Sequence, residues 1–357
     1  MVPNAQRVLL IRPSALGDVC RSVPVLVSLR AAFQDARIDW LVRHEFAPAV
    51  AAHPALSRVV SFERGALGRS LASLRVGPTL EFLKSLRRER YSTVVDAQGL
   101  ARSGLFAWAT AAPRRAGFAD ARELGWIGLN ERHRLPRGLH AVDRMLALVH
   151  AMGITPIHDM RLYTPKPDLD AFHADPHLAG RRYALLAPGS RWPGKRWPPD
   201  RFADLAQRSL EMGLDAVVVV GSPGERDAMA PLLDLARREP RLIDRVGRTS
   251  VGGLMALIQH AAVVVANDSA AVHIAVGFDR PLVALYGPTR VDLVGPYRRD
   301  ADVIQHARPG DRLDHKDETA GRAMMERIQT AEVADRVDRV RDRSPHGPAG
   351  DQNRSPG

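Results

Sequence analysis

The sequence predicts an α/β protein made of two doubly wound domains. Short apolar runs alternate with longer helix-compatible segments through most of the 357 residues, a pattern typical of parallel sheets with helical crossovers. A chain of this length is long for one hydrophobic core and comfortable for two. Residues 156–167 are proline-rich and aperiodic, which indicates a linker. We therefore predict domains over residues 1–160 and 161–340, followed by a disordered tail at 341–357.

The first domain begins with a strand at Arg7–Arg12, and further strands are predicted at 38–42, 59–62 and 91–96. A turn or a helix follows each strand, as the crossovers of a parallel sheet require. Asp18 lies in the turn after the first strand, at the edge where open α/β sheets bind ligands. There it could take a proton from an acceptor hydroxyl as a general base, although capping of the following helix explains it as well.

The second domain repeats this alternation. Its predicted strands lie at 183–187, 215–220, 263–265 and 281–286, and its predicted helices at 200–212, 224–238, 269–276 and 330–340. The last two strands are apolar on both faces, as buried parallel strands are. Two similar domains predict a ligand site in the cleft between them.

A polar turn, Asn267-Asp268-Ser269, joins a buried strand to a helix of small residues. The N-terminus of such a helix favours an anion by roughly 0.3–1 kcal/mol, so we expect a phosphate there. The alternative is that Asp268 and Ser269 only cap the helix and that His273 only packs.

Residues 188–198 form a loop rich in glycine and proline. Ser190, Lys195 and free backbone N–H groups in this loop could bind a diphosphate, and a loop of solvated charges is the alternative. In the segment Gly221–Glu225, glycine leaves room for a flat base, and Glu225 could accept hydrogen bonds from ribose hydroxyls. Helix capping explains Glu225 equally well.

Positive charge is concentrated in the first domain. Residues 1–160 contain 22 Lys and Arg against 13 Asp and Glu, and the whole chain has a net charge of +11. This excess suits an anionic membrane surface, a phosphorylated substrate or nucleic acid, although arginine-rich codon usage would also produce it. Nucleic acid is the least favoured partner, because aromatic residues make up only 5% of the chain and do not form stacking platforms.

The single cysteine, Cys20, excludes an internal disulfide framework and fits a reducing compartment. Few residues precede the first strand, and no apolar run approaches the ~18 residues of a membrane-spanning helix. We therefore expect a cytoplasmic protein, either free in solution or peripheral on a membrane.

Several catalytic classes lack their motifs in this sequence. GxGxxG is absent, so a nicotinamide or flavin cofactor loses its main support. There is no His and Cys spacing for zinc, no P-loop and no Gly-x-Ser-x-Gly elbow. No second carboxylate accompanies Asp18 at a motif-like spacing, which argues against a two-carboxylate hydrolase.

Five motifs follow one another in order within residues 7–340. They are Ser14-Ala15-Leu16-Gly17-Asp18-Val19, Asp96-Ala97-Gln98-Gly99-Leu100, Pro188-Gly189-Ser190 with Lys195-Arg196-Trp197-Pro198, Asn267-Asp268-Ser269 with His273, and Tyr286-Gly287-Pro288-Thr289. Together they resemble the bacterial lipopolysaccharide heptosyltransferases, glycosyltransferase family 9.

The resemblance implies a GT-B fold, with two Rossmann-like domains facing a cleft, and inverting transfer from ADP-heptose to the lipid A–inner core acceptor without a metal or another cofactor. Asp18 would be the base, on the acceptor-binding N-terminal domain. With Glu225, the donor residues are Ser190, Lys195, Asp268, Ser269, Ala270, Ala271 and His273. The acceptor candidates, on charge and placement, are Arg64, Arg114, Arg115 and Arg122. The protein would act peripherally on the inner face of the inner membrane.

Features of two subfamilies occur together. Residues 14–19 and 96–100 look like the type I enzymes, which add the first heptose, whereas 188–190 and 267–269 look more like type II. Ala270 replaces the usual glycine of the donor helix. The alternatives are a GT-B transferase or epimerase that uses another nucleotide-sugar, and a non-catalytic protein that binds a sugar nucleotide.

Overall fold

In the computed structural model, which describes residues 6–63 and 77–341, the chain divides into two units, Met1–Tyr163 and Thr164–Gly357. Each unit contains one parallel sheet whose strands are separated by helices. This confirms the predicted class of two doubly wound α/β domains. Residues 342–357, which make up most of the predicted tail, lie outside the described residues.

Unit 1 holds the first sheet. Its described strands are β1 Arg7–Ile11, β2 Arg37–Arg43, β3 Arg58–Phe62, β4 Thr93–Asp96, β5 Arg114–Phe118 and β6 Glu131–His133. Its described α-helices are α1 Leu16–Arg21, α2 Val23–Ala32, α3 Pro48–Ala51, α4 Gly77–Arg88, α5 Ala101–Ala109 and α6 Ala141–Ala151. The strand order is β3-β2-β1-β4-β5-β6, with every pair parallel. The order reverses between β1 and β4, the position where open α/β sheets bind ligands.

Unit 2 repeats this plan. Its strands are β7 Tyr183–Ala187, β8 Ala216–Val219, β9 Leu242–Asp244, β10 Val263–Asn267, β11 Leu282–Tyr286 and β12 Val303–Gln305. Its described helices are α7 Lys166–His173, α8 Pro199–Glu211, α9 Ala230–Ala236, α10 Val251–His260, α11 Ala270–Gly277, α12 Val291–Val294, α13 Glu318–Glu326 and α14 Thr330–Arg341. The order β12-β11-β10-β7-β8-β9 reverses between β10 and β7.

The burial of the central strands explains why their positions could be predicted from the sequence. Every residue of β7, β10 and β11 is buried. A parallel sheet covered by helices on both faces needs strands that are apolar throughout, not alternating. The sequence-based strand predictions therefore succeeded at the centres of both sheets.

Four strands were not predicted: β5, β6, β9 and β12. Each is three to five residues long and contains charged or polar side chains, and the last three lie at a sheet edge. The helix expected at 224–238 is also shorter, because two 3₁₀ turns precede α9.

Candidate functional site

A pocket of about 330 Å³ lies at the carboxyl edge of the unit 1 sheet. The ends of β1 and β4, the segment after β5 and the start of α6 contribute its walls. Its charged residues are Arg12, Asp18, Asp120, Arg122 and Arg144. Three arginines against two aspartates favour an anionic ligand in this pocket.

Asp18, the predicted base, is held at this pocket by two arginines and a backbone N–H group. Arg21 donates a hydrogen bond to its Oδ1, and Arg12 lies 3.2 Å from its Oδ2. The N–H of Ala15 also donates to Oδ2, at 3.2 Å. Burial alone would raise the pKa of Asp18, but the charges of Arg12 and Arg21 and these hydrogen bonds lower it to about 2. Asp18 is therefore a carboxylate at physiological pH.

The turn after β4 is fixed by the buried carboxylate of Asp96. Asp96 accepts hydrogen bonds from the N–H groups of Gln98 and Gly99, at 2.9 and 3.1 Å, and from the Ser103 hydroxyl, at 2.8 Å. Arg12 donates a hydrogen bond to the carbonyl of the intervening residue 97, which joins the end of β1 to this turn. Arg12 thus links the segments that follow β1 and β4, the two strands at the reversal of strand order, and it also contacts Asp18, the candidate base.

The arginines predicted to bind the acceptor occupy different places. Arg122 lines the Asp18 pocket. Arg114 and Arg115 begin β5, at the end of the strand opposite to that pocket, and Arg114 pairs there with Glu131 at 2.5 Å. The structure does not bring these two side chains to Asp18. Arg64 lies outside the described residues.

In unit 2, the buried side chain of Asn267 ties the loop of residues 188–198 to the sheet. Its Nδ2 donates to the carbonyl of Pro188 at 2.6 Å, and its Oδ1 accepts from the N–H of Trp197 at 3.2 Å. Because Pro188 follows β7 directly, one side chain at the end of β10 fixes both ends of the loop. The predicted diphosphate loop therefore lies at the reversal of strand order.

Asp268 is the centre of the predicted donor residues. Its Oδ2 accepts hydrogen bonds from Lys195 Nζ at 2.6 Å and from the Thr289 hydroxyl at 2.7 Å. Its backbone carbonyl accepts from the Ser190 hydroxyl at 3.2 Å. The side chains of Asp268 and Lys195 are only 11% and 13% exposed. The structure thus brings Ser190, Lys195 and Asp268 together, and the lysine ammonium has two further N–H donors to offer a ligand.

Helix α11 starts directly after this group, with Ser269 as its N-cap residue. The Ser269 hydroxyl makes no capping hydrogen bond, so the capping alternative does not apply to it. Ala270 and Ala271 carry only methyl groups, which lets an anion approach the backbone N–H groups of the first turn. His273 lies farther along the same helix, and its side chain is buried.

A second pocket, of about 240 Å³, adjoins the loop of residues 188–198 and includes Glu225 in its lining. The Glu225 carboxylate accepts hydrogen bonds from both the N–H and the hydroxyl of Ser222, each at 2.8 Å, as the capping alternative required. A Cβ atom at Gly189 would lie 2.5 Å from both Glu225 oxygens. Glycine at position 189 therefore allows the two segments to approach one another beside the pocket.

Four residues that were not predicted as site residues hold the predicted ones in place, two around Asp18 and two around Asp268 and its neighbouring loop. Arg12 and Arg21 hold Asp18, while Asn267 and Thr289 hold the loop and Asp268. Arg12 was recognisable as the last residue of the predicted first strand, and Arg21 follows Asp18 by one helical turn. Asn267 and Thr289 lie inside motifs that were noted without a role for these side chains.

The described part of the chain has neither a cluster of metal ligands nor a membrane-spanning helix. There, no group of three or more His, Cys, Asp and Glu side chains could hold a metal ion. No helix within residues 6–63 and 77–341 is long and apolar enough to cross a membrane.

Comparison with known proteins gives a consistent family. The sequence model of glycosyltransferase family 9 (heptosyltransferase) matches residues 79–321. Lipopolysaccharide heptosyltransferase 1 of Pseudomonas aeruginosa is 31% identical over 303 residues, which covers 82% of each chain. Lipopolysaccharide heptosyltransferase 2 of Salmonella typhimurium is 27% identical over 318 residues, covering 84% of this chain and 88% of the relative.

Solved structures show the same fold. The ADP-heptose lipopolysaccharide heptosyltransferase II of Escherichia coli superimposes with a TM-score of 0.79 at 23% identity, over 96% of this chain and all of the other. An E. coli heptosyltransferase solved with ADP gives a TM-score of 0.70 at 21% identity, over 95% and 99% of the two chains. The predicted GT-B class of fold is therefore confirmed.

Proposed function

Since the chain belongs to glycosyltransferase family 9, the heptosyltransferases of lipopolysaccharide biosynthesis, we propose that it transfers heptose from ADP-heptose to the lipopolysaccharide inner core. The acceptor is Kdo-lipid A or a first heptose, and transfer inverts the anomeric carbon. One observation carries the proposal: each sheet has a cation-bound aspartate at its reversal of strand order, Asp18 in unit 1 and Asp268 in unit 2.

Unit 2 has the groups that a nucleoside diphosphate sugar needs. Lys195 and the N-terminus of α11 offer positive charge to the phosphates, and Ser190 lies beside them. Asp268 would accept hydrogen bonds from heptose hydroxyls through oxygen lone pairs that Lys195 and Thr289 leave available. Glu225, beside the second pocket, would contact the ribose. A structurally similar E. coli heptosyltransferase was solved with ADP, which supports the same nucleotide here.

Unit 1 would hold the acceptor in the Asp18 pocket. Arg122 and Arg144 line this pocket and would bind the carboxylate or phosphate groups of the inner core. The acceptor hydroxyl would then lie against Asp18. Arg64, Arg114 and Arg115 stay predicted acceptor residues, but Arg114 and Arg115 lie at the other end of β5 and do not line this pocket.

In the proposed reaction, the acceptor oxygen forms a bond to the anomeric carbon while the bond from that carbon to the ADP phosphate oxygen breaks. ADP leaves with the electron pair, and the hydroxyl proton moves to Asp18. A carboxylate with a pKa of about 2 is a weak base, so it takes the proton late, when bonding to carbon has already made the acceptor oxygen acidic.

The negative charge that develops on departing ADP requires a preorganised positive environment, which is usually the largest catalytic contribution. Lys195 and the first turn of α11 would supply it, so the proposed route needs no metal ion. Because the acceptor is anchored in lipid, the enzyme would work from the cytoplasm as a peripheral protein on the inner membrane.

The test is transfer from ADP-heptose to Kdo-lipid A and, separately, to the heptosylated acceptor, with products identified by mass spectrometry and anomeric configuration by NMR. We expect one added heptose, an inverted anomeric centre and an unchanged rate in the presence of a chelator. ADP-heptose binding without transfer to either acceptor would favour the non-catalytic alternative. Turnover of another nucleotide-sugar in preference to ADP-heptose would contradict the proposed donor.

A further inference from the structure

The outer surface of unit 1 carries an unusual concentration of exposed apolar side chains. In the described residues, five large apolar side chains are exposed, and all five belong to this unit: Leu80, Leu105, Trp108, Leu124 and Ile127. We call this set the apolar ridge. Three of them, Trp108, Leu124 and Ile127, are 61%, 64% and 57% exposed. Large apolar side chains grouped on a protein surface mark a contact with another body.

The members of the apolar ridge come from elements that pack side by side. Helix α5 touches the 3₁₀ turn of residues 125–128 through backbone, since a Cβ atom at Gly104 would lie 2.1 Å from the Gly125 carbonyl oxygen. Helix α4 packs on α5 through the rings of Phe82 and Phe106, whose centroids are 5.5 Å apart. The three elements therefore form one layer with a common outer surface.

A strongly basic pocket borders this layer. It has a volume of about 690 Å³, and the ends of α4 and α5 line it. Its charged residues are Lys84, Arg87, Arg88 and Arg90, which we call the basic pocket residues. Trp108 of the apolar ridge lies two residues before Thr110, another lining residue of the same pocket. Exposed apolar and cationic side chains are therefore adjacent.

Most of this positive charge is not used within unit 1. Arg88 pairs with Glu81 at 2.7 Å, but both side chains are more than 60% exposed, so the pair contributes little. Lys84, Arg87 and Arg90 are exposed and form no ion pair within the described residues. Their charge is available to an external anion.

From this juxtaposition we infer that the apolar ridge and the basic pocket residues form the surface by which the protein docks on an anionic phospholipid bilayer. Trp and aliphatic side chains partition into the interfacial region of a bilayer, where an indole ring is especially favoured. Lysine and arginine are attracted by anionic headgroups. A protein partner would account for the ridge, but the uncompensated cations beside it favour a surface of phosphate groups.

This inference rests on the proposed function for its biological meaning, because a lipid-anchored acceptor must be reached from the membrane. Leu124 of the apolar ridge lies two residues from Arg122, which lines the Asp18 pocket. The apolar ridge therefore begins beside the Asp18 pocket, at the carboxyl edge of the sheet, and reaches the basic pocket, which lies beside the starts of β4 and β5 at the opposite edge.

The experiment is sedimentation of the full chain with vesicles of phosphatidylethanolamine and phosphatidylglycerol, and with vesicles of phosphatidylcholine alone. The charge variant is Lys84→Gln, Arg87→Gln and Arg90→Gln together. Its matched control removes three exposed cations from unit 2 by Arg181→Gln, Arg238→Gln and Arg339→Gln. The apolar variant is Trp108→Gln with Ile127→Gln, and Trp108→Phe is its conservative counterpart.

We expect the parent and the control to bind anionic vesicles, and the charge variant to bind roughly a hundredfold more weakly, at about fivefold for each lost cation. The apolar variant should lose binding as well, and Trp108→Phe should retain most of it. If the control lost as much vesicle binding as the charge variant, net charge alone would explain the effect, and the inference would be overturned. Parent-like binding by both the charge and the apolar variants would also overturn it.

Heptose transfer separates this inference from the proposed function. With an acceptor that lacks acyl chains, all variants should transfer at the parental rate, because none of the altered residues belongs to the site. With the acceptor embedded in vesicles, the charge and apolar variants should be slower. Absence of transfer to the soluble acceptor in every protein would contradict the proposed function and leave the vesicle-binding result to stand by itself.

Discussion

The two units place an aspartate at the same topological position and surround it differently. Asp18 follows β1 and Asp268 follows β10, and each lies beside the reversal of strand order in its sheet. Asp18 is held by two guanidinium groups and its side chain is 27% exposed. Asp268 is held by the ammonium of Lys195 and the hydroxyl of Thr289, and its side chain is 11% exposed.

The difference shows how one sheet architecture serves two chemical tasks. Two arginines fix the orientation of Asp18 and keep it ionised, because each guanidinium is planar and permanently charged, and the carboxylate still faces a pocket. A lysine ammonium is a compact charge with three donors, so Lys195 can bind Asp268 and a phosphate together. The first arrangement suits a base, and the second suits shared binding of a sugar diphosphate.

The largest expected effect tests the role assigned to Asp18. Asp18→Asn should lower the transfer rate by about 10² or more, because the amide cannot accept the acceptor proton. Binding of ADP-heptose should be unchanged, since Lys195 and Asp268 belong to the other unit. Steady-state transfer kinetics and calorimetric titration with ADP-heptose measure the two quantities.

Asp120→Asn is the matched control for that experiment. Asp120 lines the same pocket, is exposed and pairs with Arg144 at 2.6 Å, so the variant removes the same charge from the same place. It should change the rate by a few-fold at most. If Asp120→Asn were as slow as Asp18→Asn, pocket charge and not a base would explain the loss.

An intermediate effect tests the unit 2 arrangement. Lys195→Gln should weaken ADP binding by roughly tenfold to a hundredfold, which corresponds to losing a charge-assisted hydrogen bond of about 1.5–3 kcal/mol. Arg191→Gln removes an equal charge from an exposed position in the same loop and should have little effect. Calorimetric titration with ADP measures the affinity of each variant, and thermal unfolding checks that both variants are folded. Equal affinities in both variants would contradict a direct contact between Lys195 and the diphosphate.

The sequence predicted those parts of the fold and of the site that depend on local interactions. The central strands, the turn containing Asp268 and the loop containing Lys195 were visible because apolar runs and glycine-rich turns are short-range signals. Edge strands such as β6 and β9 were not predicted, because a run of only three residues is too short to show a period, and each of these runs includes a charged side chain.

The contacts within the sites depend on pairing between distant segments. Lys195 meets Asp268 across 73 positions of sequence, and Arg12 reaches the carbonyl of residue 97 across 85. Charge and placement suggested Arg114 as an acceptor ligand, but the unpredicted strand β5 puts it at the far end of its sheet, paired with Glu131. Register and strand order decide such placements, and neither was available from local patterns.

The smallest expected effect concerns the arginines that hold Asp18. Burial raises the pKa of Asp18, and the charges of Arg12 and Arg21 lower it to about 2 from an ordinary value of 3.8. Arg21→Gln should therefore move this pKa upward, towards 3.8. At neutral pH both proteins carry the carboxylate, so the pH dependence of transfer should differ between them only in acid.

Because the folded-state pKa is depressed, the stability that the arginines give to ionised Asp18 is present above about pH 4 and is lost as the pH falls towards 2. In the parent, ¹³C NMR of the Asp18 carboxyl carbon between about pH 3 and pH 6 should show little titration, whereas Arg21→Gln should begin to titrate in that range. Arg137→Gln, which removes an exposed arginine of unit 1, should behave as the parent does. If the Asp18 signal did not shift in Arg21→Gln, Arg12 and the N–H of Ala15 would be sufficient to keep the carboxylate ionised. Asp18 would then depend on one cation, as Asp268 does on Lys195, and the difference between the two units would be lost.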